Sequence, residues 1–271
     1  MPEPTTIFLL VLAAFVAGFI DAVVGGGGLI TIPSLLLGLP GIPITTLLGT
    51  NKFVSCTGTS VAATQFVRSK ILQPREMVFP VLCSMAGASV GVGLAYLFQG
   101  RFEPYLRPLM VALMAAMLAF TLLKPDLGTV HAPRFGLAHQ RTLSLGIAFC
   151  IGLYDGFFGP GTGSILIFLF VAVLGFDFLR ASALAKSVNW ASNVASVVLF
   201  LSQGSWIPLL AVCMAVGNGM GGALGARAAI AKGARWIRWV FVAVVSGLIL
   251  RLTWQMLDLP GPLVIVRAIW P

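Results

Sequence analysis

Two lysines and two aspartates lie within otherwise apolar stretches of this 271-residue chain. One constant shift along the sequence places Lys52 on Lys186 and Asp21 on Asp155. Charged side chains are costly inside a bilayer and usually mark function there. A lysine on a polar helix stripe would attract an anion, whereas snorkelling of its ammonium group to the headgroup layer is the structural alternative.

Polar residues accompany both lysines at helical spacing. Ser55 follows Lys52 by three residues, and Asn189 and Asn193 follow Lys186 by three and seven. Residues at these spacings share one helix face. The pattern predicts two polar stripes that orient the oxygens of an anion. The predicted substrate-binding residues on these stripes are Asn51, Lys52, Ser55, Lys186, Asn189 and Asn193.

A glycine-rich break precedes each lysine stripe. Glycine costs a helix up to about 1 kcal/mol per residue and proline about 3, so both runs end a helix. The helix that follows begins with free N–H groups and a positive dipole end, which attract anions. Close helix packing is the alternative. The predicted contacts are Gly25, Gly26, Gly27, Gly28, Gly159, Gly161, Thr162 and Gly163.

Asp21 and Asp155 lie four residues before the breaks. A carboxylate repels an anion, so direct binding of the substrate is not expected of them. They are interpreted as proton-coupling or structural residues, the latter through a lysine or arginine pair or a helix cap. Tyr154, Trp190 and Asn218 could line the same cavity, although interfacial anchoring or core packing explains them better.

The composition is that of a chain surrounded by lipid. Hydrophobic residues make up 58% of it and charged residues 9%, against about 25% charged in soluble domains. Apolar runs of about 18 residues or more recur throughout, which predicts an all-α, polytopic membrane protein. No lysine or arginine precedes the first run, so we interpret it as a mature helix and not a signal peptide. The net charge of +9 fits basic cytoplasmic loops, and nucleic acid is not an expected partner.

The overlay divides the chain into two homologous membrane repeats, residues 1–124 and 143–271, joined by a polar linker, 125–142. Each repeat is predicted to contain an apolar segment, the break, a short segment and three longer helices. The first repeat has Ile7 to Val24, Leu29 to Leu39, Ile44 to Val67, Met77 to Phe98 and Leu106 to Leu123. The second has Leu143 to Phe158, Ser164 to Gly175, Leu179 to Leu201, Trp206 to Ile230 and Trp236 to Leu257.

The short segments after the breaks either complete a broken span or turn back as hairpins. Hairpins are favoured because they segregate the basic residues, as the positive-inside rule expects. An odd number of segments per repeat would then invert the two repeats, a common transporter plan. One side would hold Arg68, Lys70, Arg75, Lys124, Arg134, Arg141, Arg180, Arg227, Lys232, Arg235 and Arg238, and the other Arg101, Arg107, Arg251 and Arg267.

Enzymatic chemistry is not predicted. The four cysteines lack paired metal-site spacing, and His131 and His139 both fall in the linker. No nucleophile–base pair or metal-ligand motif emerges, so no catalytic residue, metal or cofactor is expected. A membrane-embedded enzyme is therefore the weakest reading, and a passive anion channel stays open as the alternative to a transporter.

The motifs together resemble one family of membrane proteins. Gly18 to Pro33 (GFIDAVVGGGGLITIP) with Thr50 to Lys52 (TNK) is similar to the TauE/SafE family, also called the sulfite exporter or TSUP family. Tyr154 to Ser164 (YDGFFGPGTGS), with Ala185–Lys186 and Asn189 to Asn193 (NWASN), resembles its YfcA-like branch. The resemblance covers nearly the full chain.

The resemblance implies export or import of a small anion across the bacterial inner membrane. Its expected substrates are sulfur oxyanions or organosulfonates, such as sulfite or sulfoacetate, moved by alternating access. Membrane lipid is the surrounding partner. The substrate within this class, the direction, the coupling ion and the oligomeric state, a homodimer included, are left open by the sequence.

Overall fold

The computed structural model describes residues 3–98 and 131–256, with Ala115, Ala119, Leu123 and Gly128 between them. Every regular element in these ranges is helical, which confirms the all-α prediction. The predicted helix from Leu106 to Leu123 lies outside the described residues except for three of them. The helices are α1 (Pro4–Val24), α2 (Gly28–Gly38), α3 (Ile44–Arg68), α4 (Pro74–Phe98), α5 (Leu137–Phe157), α6 (Thr162–Ala172), α7 (Phe178–Ser202) and α8 (Pro208–Met256).

Two helices differ most from the sequence prediction. Helix α5 begins at Leu137, inside the stretch predicted as linker, because helix-compatible polar residues extend it beyond its apolar part. The last two predicted helices are joined in α8, which has one non-helical residue, Gly233, with φ 75° and ψ −171°. Hydropathy locates the apolar part of a helix and does not locate its polar ends.

The outer surface is that of a membrane protein. Helices α1, α4, α7 and α8 are long and apolar enough to cross a bilayer. Large apolar side chains such as Leu12, Leu82 and Met220 are more than half exposed and face outward. Lipid is the solvent that accepts such a surface, because a soluble monomer rarely exposes so much apolar area.

Each short helix turns back along the helix before it. The end of α2 returns to the start of α1, because a methyl group on Gly38 would lie within 3.4 Å of Thr6 and Leu10. After α6, the carbonyl of Gly175 accepts a hydrogen bond from the Ala132 amide at 2.9 Å, just before α5. With 11 residues each, α2 and α6 reach about 16 Å. Each pair is therefore a hairpin, and its tip, the glycine break, lies inside the molecule.

Close glycine contacts set the directions of the helices. Added methyl groups on Gly217 and Gly225 would overlap the backbones of Val11 and Phe19, so α8 starts beside the start of α1 and runs parallel to it. We call the end of the molecule where α1 begins the first face. Small residues allow such close approach between membrane helices.

The same kind of contact joins α4 to α5. Gly87 and Gly91 meet the backbones of Phe149 and Leu153, so these two helices are also parallel. Helix α3 runs away from the first face, and α4 returns toward it. Helix α5 therefore begins at the opposite end, the second face. The contact between Arg180 and Glu76 places the start of α7 there as well.

Candidate functional site

The two glycine breaks touch each other inside the molecule. A methyl group on Gly25 would lie 2.2 Å from the carbonyl carbon of Gly163. The Ser164 hydroxyl donates to the Val24 carbonyl oxygen at 3.0 Å and so fixes the start of α6 to the end of α1. The first turns of α2 and α6 thus meet at one point, although they lie more than a hundred residues apart in the chain.

A small cavity opens at this meeting point. Its volume is about 20 Å³, about enough for one water molecule. Every residue that lines it was predicted from the sequence. The lining consists of Asp21, Gly26, Gly28, Asn51, Lys52, Ser55, Asp155, Gly159, Gly161, Thr162, Gly163, Asn189 and Asn193.

Lys52 forms a buried ion pair with Asp155. Its Nζ lies 2.7 Å from Asp155 Oδ1, and both side chains are 3% exposed. The Thr162 hydroxyl donates to the same Oδ1 at 2.8 Å. The other carboxylate oxygen, Asp155 Oδ2, is buried and has no hydrogen-bond partner. Snorkelling therefore does not account for Lys52, because its ammonium group is enclosed by protein.

Lys186 is paired differently. Its Nζ donates to the backbone carbonyl of Asp21 and lies 3.4 Å from Asp21 Oδ2. The Gly27 amide donates to Asp21 Oδ1 at 3.2 Å, so Asp21 also caps the start of α2. The Lys186 side chain is fully buried, and it lies behind Asp21 instead of lining the cavity. This ion pair holds the first glycine break in place.

Each ion pair joins the two halves of the chain. Lys52 in the first half contacts Asp155 in the second, and Lys186 in the second half contacts Asp21 in the first. The sequence suggested pairing of aspartates with lysines without specifying the partners. Breaking a buried pair costs several kcal/mol because it leaves one charge uncompensated. The pairs therefore tie the two halves of the chain together.

Some predicted site residues support the cavity without lining it. Gly25 packs on Gly163, and Gly27 packs on Asp21. Thr31, which was not predicted, donates its hydroxyl to Asn51 Oδ1 and is fully buried. It lies one turn into α2 and orients the amide. Only its polarity within an apolar segment could have indicated a role.

The three aromatic and amide residues considered for the cavity lie elsewhere. The Tyr154 hydroxyl donates to the Pro160 carbonyl at 2.6 Å, and the Asn218 amide donates to Ala14 at 2.9 Å. Trp190 donates to Ser60 and lines a separate apolar groove of about 630 Å³ between α3, α4 and α7. The favoured alternative, packing and anchoring, fits these contacts.

The arrangement contains groups that bind small anions, and in this conformation its cavity has room for one water-sized molecule. Helices α2 and α6 present their N-termini to the cavity at Gly28 and Thr162, and N-termini favour negative charge. Lys52 supplies a positive charge that Asp155 balances while the two are paired, and Asn189 and Asn193 add amide donors. Among the residues that the structure describes, no group of three His, Cys, Asp or Glu side chains could hold a metal ion.

Comparison with known proteins agrees with the fold and the motifs. The family model described as "Sulfite exporter TauE/SafE" matches residues 10–252. The chain is 38% identical over 247 residues to the probable membrane transporter protein ORF9 of Sinorhizobium, covering 90% of both chains. It is 34% identical over 246 residues to the probable membrane transporter protein YfcA of Escherichia coli K12, covering 90% of this chain and 88% of that one. No solved structure matches.

Proposed function

Because the chain belongs to the sulfite exporter TauE/SafE family, whose members similar to it are named as membrane transporters, we propose that it moves a small sulfur-containing anion. The proposed substrates are sulfur oxyanions and organosulfonates, with sulfite and sulfoacetate as the test compounds. The proposed location is the bacterial inner membrane, which the chain would cross several times. The proposed mechanism is secondary transport by alternating access.

The observation that carries this proposal is the polar cavity between the two glycine breaks. It combines Lys52, two helix N-termini and the amides of Asn189 and Asn193 inside an apolar molecule. Buried ionisable groups in membrane proteins are costly and typically serve transport. Transporters with discontinuous helices bind anionic groups at half-helix N-termini near the bilayer midplane. The cavity offers the same combination of groups.

Alternating access is proposed from the relation between the two repeats. The α1–α2 hairpin enters from the first face and the α5–α6 hairpin from the second. The parallel packing of α1 on α8 is repeated by α5 on α4. These equivalent contacts support inverted repeats, which would exchange conformations as the site opens to one face and then to the other.

The test is uptake of labelled sulfite and sulfoacetate into vesicles that contain the purified chain. Lys52→Ala removes the cation that faces the cavity. A hydrogen bond to a charged group contributes about 1.5–3 kcal/mol, so we expect the apparent affinity to fall about 10- to 150-fold. The matched control is Lys232→Ala, which removes one positive charge from a residue that contacts Trp236 on α8.

Transport by the wild type and by Lys232→Ala, with a large loss in Lys52→Ala, supports the proposed site. Full uptake by a folded Lys52→Ala protein removes the lysine from the site. Absence of uptake of either anion by the wild type contradicts the proposed substrate class. Folding of each variant is checked by its elution profile and its melting temperature in detergent.

A further inference from the structure

We propose that Asp155 is the proton-binding site of a proton-coupled anion transporter, and that one proton enters with each anion. This inference rests on the proposed function and adds the coupling ion and the residue that carries it. It depends on three features of the described residues: the charge balance of the site, the free oxygen of Asp155, and the different surroundings of the two ion pairs.

The charges of the site cancel before any anion binds. Lys52 and Lys186 supply two positive charges, and Asp21 and Asp155 supply two negative charges. At the starts of the two short helices, the Gly27 amide and the Thr162 hydroxyl already donate to these carboxylates. An added anion would therefore be a net negative charge in a buried site, which is strongly unfavourable without compensation. A proton on one carboxylate supplies that compensation.

Asp155 is the carboxylate placed to receive the proton. Its Oδ1 is occupied by Lys52 and Thr162, and its buried Oδ2 lacks a partner. Buried polar atoms are nearly always hydrogen-bonded, so an exception inside a polar cavity points to a ligand that comes and goes. A proton on Oδ2 creates an O–H donor that faces the same cavity as the anion.

Asp21 is less suited to this role. Its Oδ1 accepts from the Gly27 amide, and its Oδ2 and backbone carbonyl face Lys186. Protonation would weaken the contacts that hold the first glycine break. The two pairs therefore have different roles. Lys186 and Asp21 fix the hairpin, whereas Lys52 and Asp155 bind and release the anion and the proton.

For a singly charged anion the exchange balances in charge and in atoms, and for a doubly charged anion such as sulfoacetate one net negative charge crosses with each proton. A proton from the open face bonds to Asp155 Oδ2, and the ion pair with Lys52 opens. The freed ammonium group then attracts the anion. At the other face the proton leaves, the Lys52–Asp155 pair reforms, and the anion loses its counter-charge and is released. Only the O–H bond of Asp155 forms and breaks, and no group is oxidised or reduced.

The pH dependence of this step has several contributors. Cys56 faces the Lys52–Asp155 pair from α3 and Asp21 faces it from α1, and Tyr154 adjoins Asp155 on α5. Lys186 approaches from α7, where a methyl group on Gly163 would lie 3.4 Å from its Nζ. The test must therefore measure proton movement directly instead of inferring it from a pH profile.

The experiment uses vesicles containing the full chain, labelled sulfoacetate and a trapped pH-sensitive dye, with the membrane potential clamped at zero. Both acidic groups of sulfoacetate stay ionised near neutral pH, because the pKa of a carboxyl group is about 4 and that of a sulfonic acid is lower. For the wild type we expect an acidic exterior to accelerate uptake and the interior to acidify in step with the anion. Asp155→Asn should carry the anion without either effect, because its Lys52 is permanently free.

The matched variant is Asp177→Asn, which replaces a carboxylate that accepts from the Leu179 and Arg180 amides outside the cavity and should keep proton-coupled uptake. Sulfoacetate uptake by the wild type without acidification overturns the proton site while leaving anion transport standing. Coupled uptake by Asp155→Asn also overturns it. Failure of the wild type to move sulfoacetate or sulfite removes the proposed function, and the inference with it. If Asp155→Asn does not fold, Asp155→Glu tests the residue, because it keeps a carboxylate on a longer side chain and should move the external pH at which uptake is half-maximal. An unchanged pH dependence in Asp155→Glu overturns the assignment.

Discussion

At the scale of single residues, the two buried lysines are not equivalent although the sequence repeats them. Lys52 faces a cavity and shares a carboxylate oxygen with Thr162. Lys186 is fully buried and contacts both the side chain and the backbone of Asp21. A lysine that donates to a backbone carbonyl at the end of a helix stabilises that end. A lysine at a cavity can exchange its carboxylate partner for a bound anion. Substitution of Lys186 should therefore disturb the end of α1, and substitution of Lys52 should disturb binding in the cavity.

We predict that Lys186→Met lowers the thermal stability of the protein. Loss of Lys186 leaves Asp21 without its cation and releases the end of α1, and breaking a buried pair costs about 3–5 kcal/mol. Asp21 keeps 16% of its side chain exposed, so the loss should fall at the lower end. The measurement is thermal unfolding in detergent.

The double variant Lys186→Met with Asp21→Asn is the control for this prediction. Removing both charges should restore part of the lost stability, since an unpaired charge is then no longer buried. A Lys186→Met protein that melts with the wild type would show that the pair contributes nothing to stability.

At the scale of elements, the site depends on contact between two irregular segments. Gly25 has a φ of 79° and leaves no room for a side chain against Gly163. Backbone cannot move aside as a flexible side chain can. The glycine runs therefore do two things at once, since they end α1 and α5 and allow the two ends to meet.

We predict that Gly25→Ala is severely destabilising and Gly41→Ala only mildly so. Both glycines have positive φ, which costs alanine about 1–3 kcal/mol. Gly41 has no neighbour within 4 Å, whereas a methyl group on Gly25 overlaps Gly163, adding about 1–3 kcal/mol or more. Melting temperature and the yield of monodisperse protein measure the difference. Equal melting temperatures for the two variants would contradict the contact between the breaks.

The element scale also shows how far sequence reasoning reaches. Glycine content and hydropathy predicted the breaks, the short helices and the polar stripes, because each of these depends on neighbouring residues. The pairing of Lys52 with Asp155 could not be predicted, since it depends on how the two halves of the chain pack and no local spacing encodes it. The support of Asn51 by Thr31 escaped prediction for the same reason.

At the scale of the whole molecule, the direction of each hairpin determines how the site could open. Basic residues Arg68, Arg75, Arg141 and Arg180 lie near the second face, so the positive-inside rule predicts that this face is cytoplasmic. The first hairpin would then enter from the outside and the second from the cytoplasm. Each hairpin would cover the cavity from one face, so that small movements of either one would expose it to that face.

We predict that loop residues at the two faces react from opposite sides of the membrane. Ile42 and Gln203 follow α2 and α7 at the first face, whereas Gln73 and Gly136 precede α4 and α5 at the second. The test uses variants with a single cysteine at one of these four positions. Each cysteine would be introduced after replacing Cys56, Cys83, Cys150 and Cys213, which are free thiols. A maleimide that cannot cross membranes should label the first pair in intact cells and the second pair only after permeabilisation.

Labelling of Ile42→Cys and Gly136→Cys from one side would mean that both hairpins enter from the same face. The two repeats would then not be inverted, and exchange of conformations between them could not alternate access to the cavity.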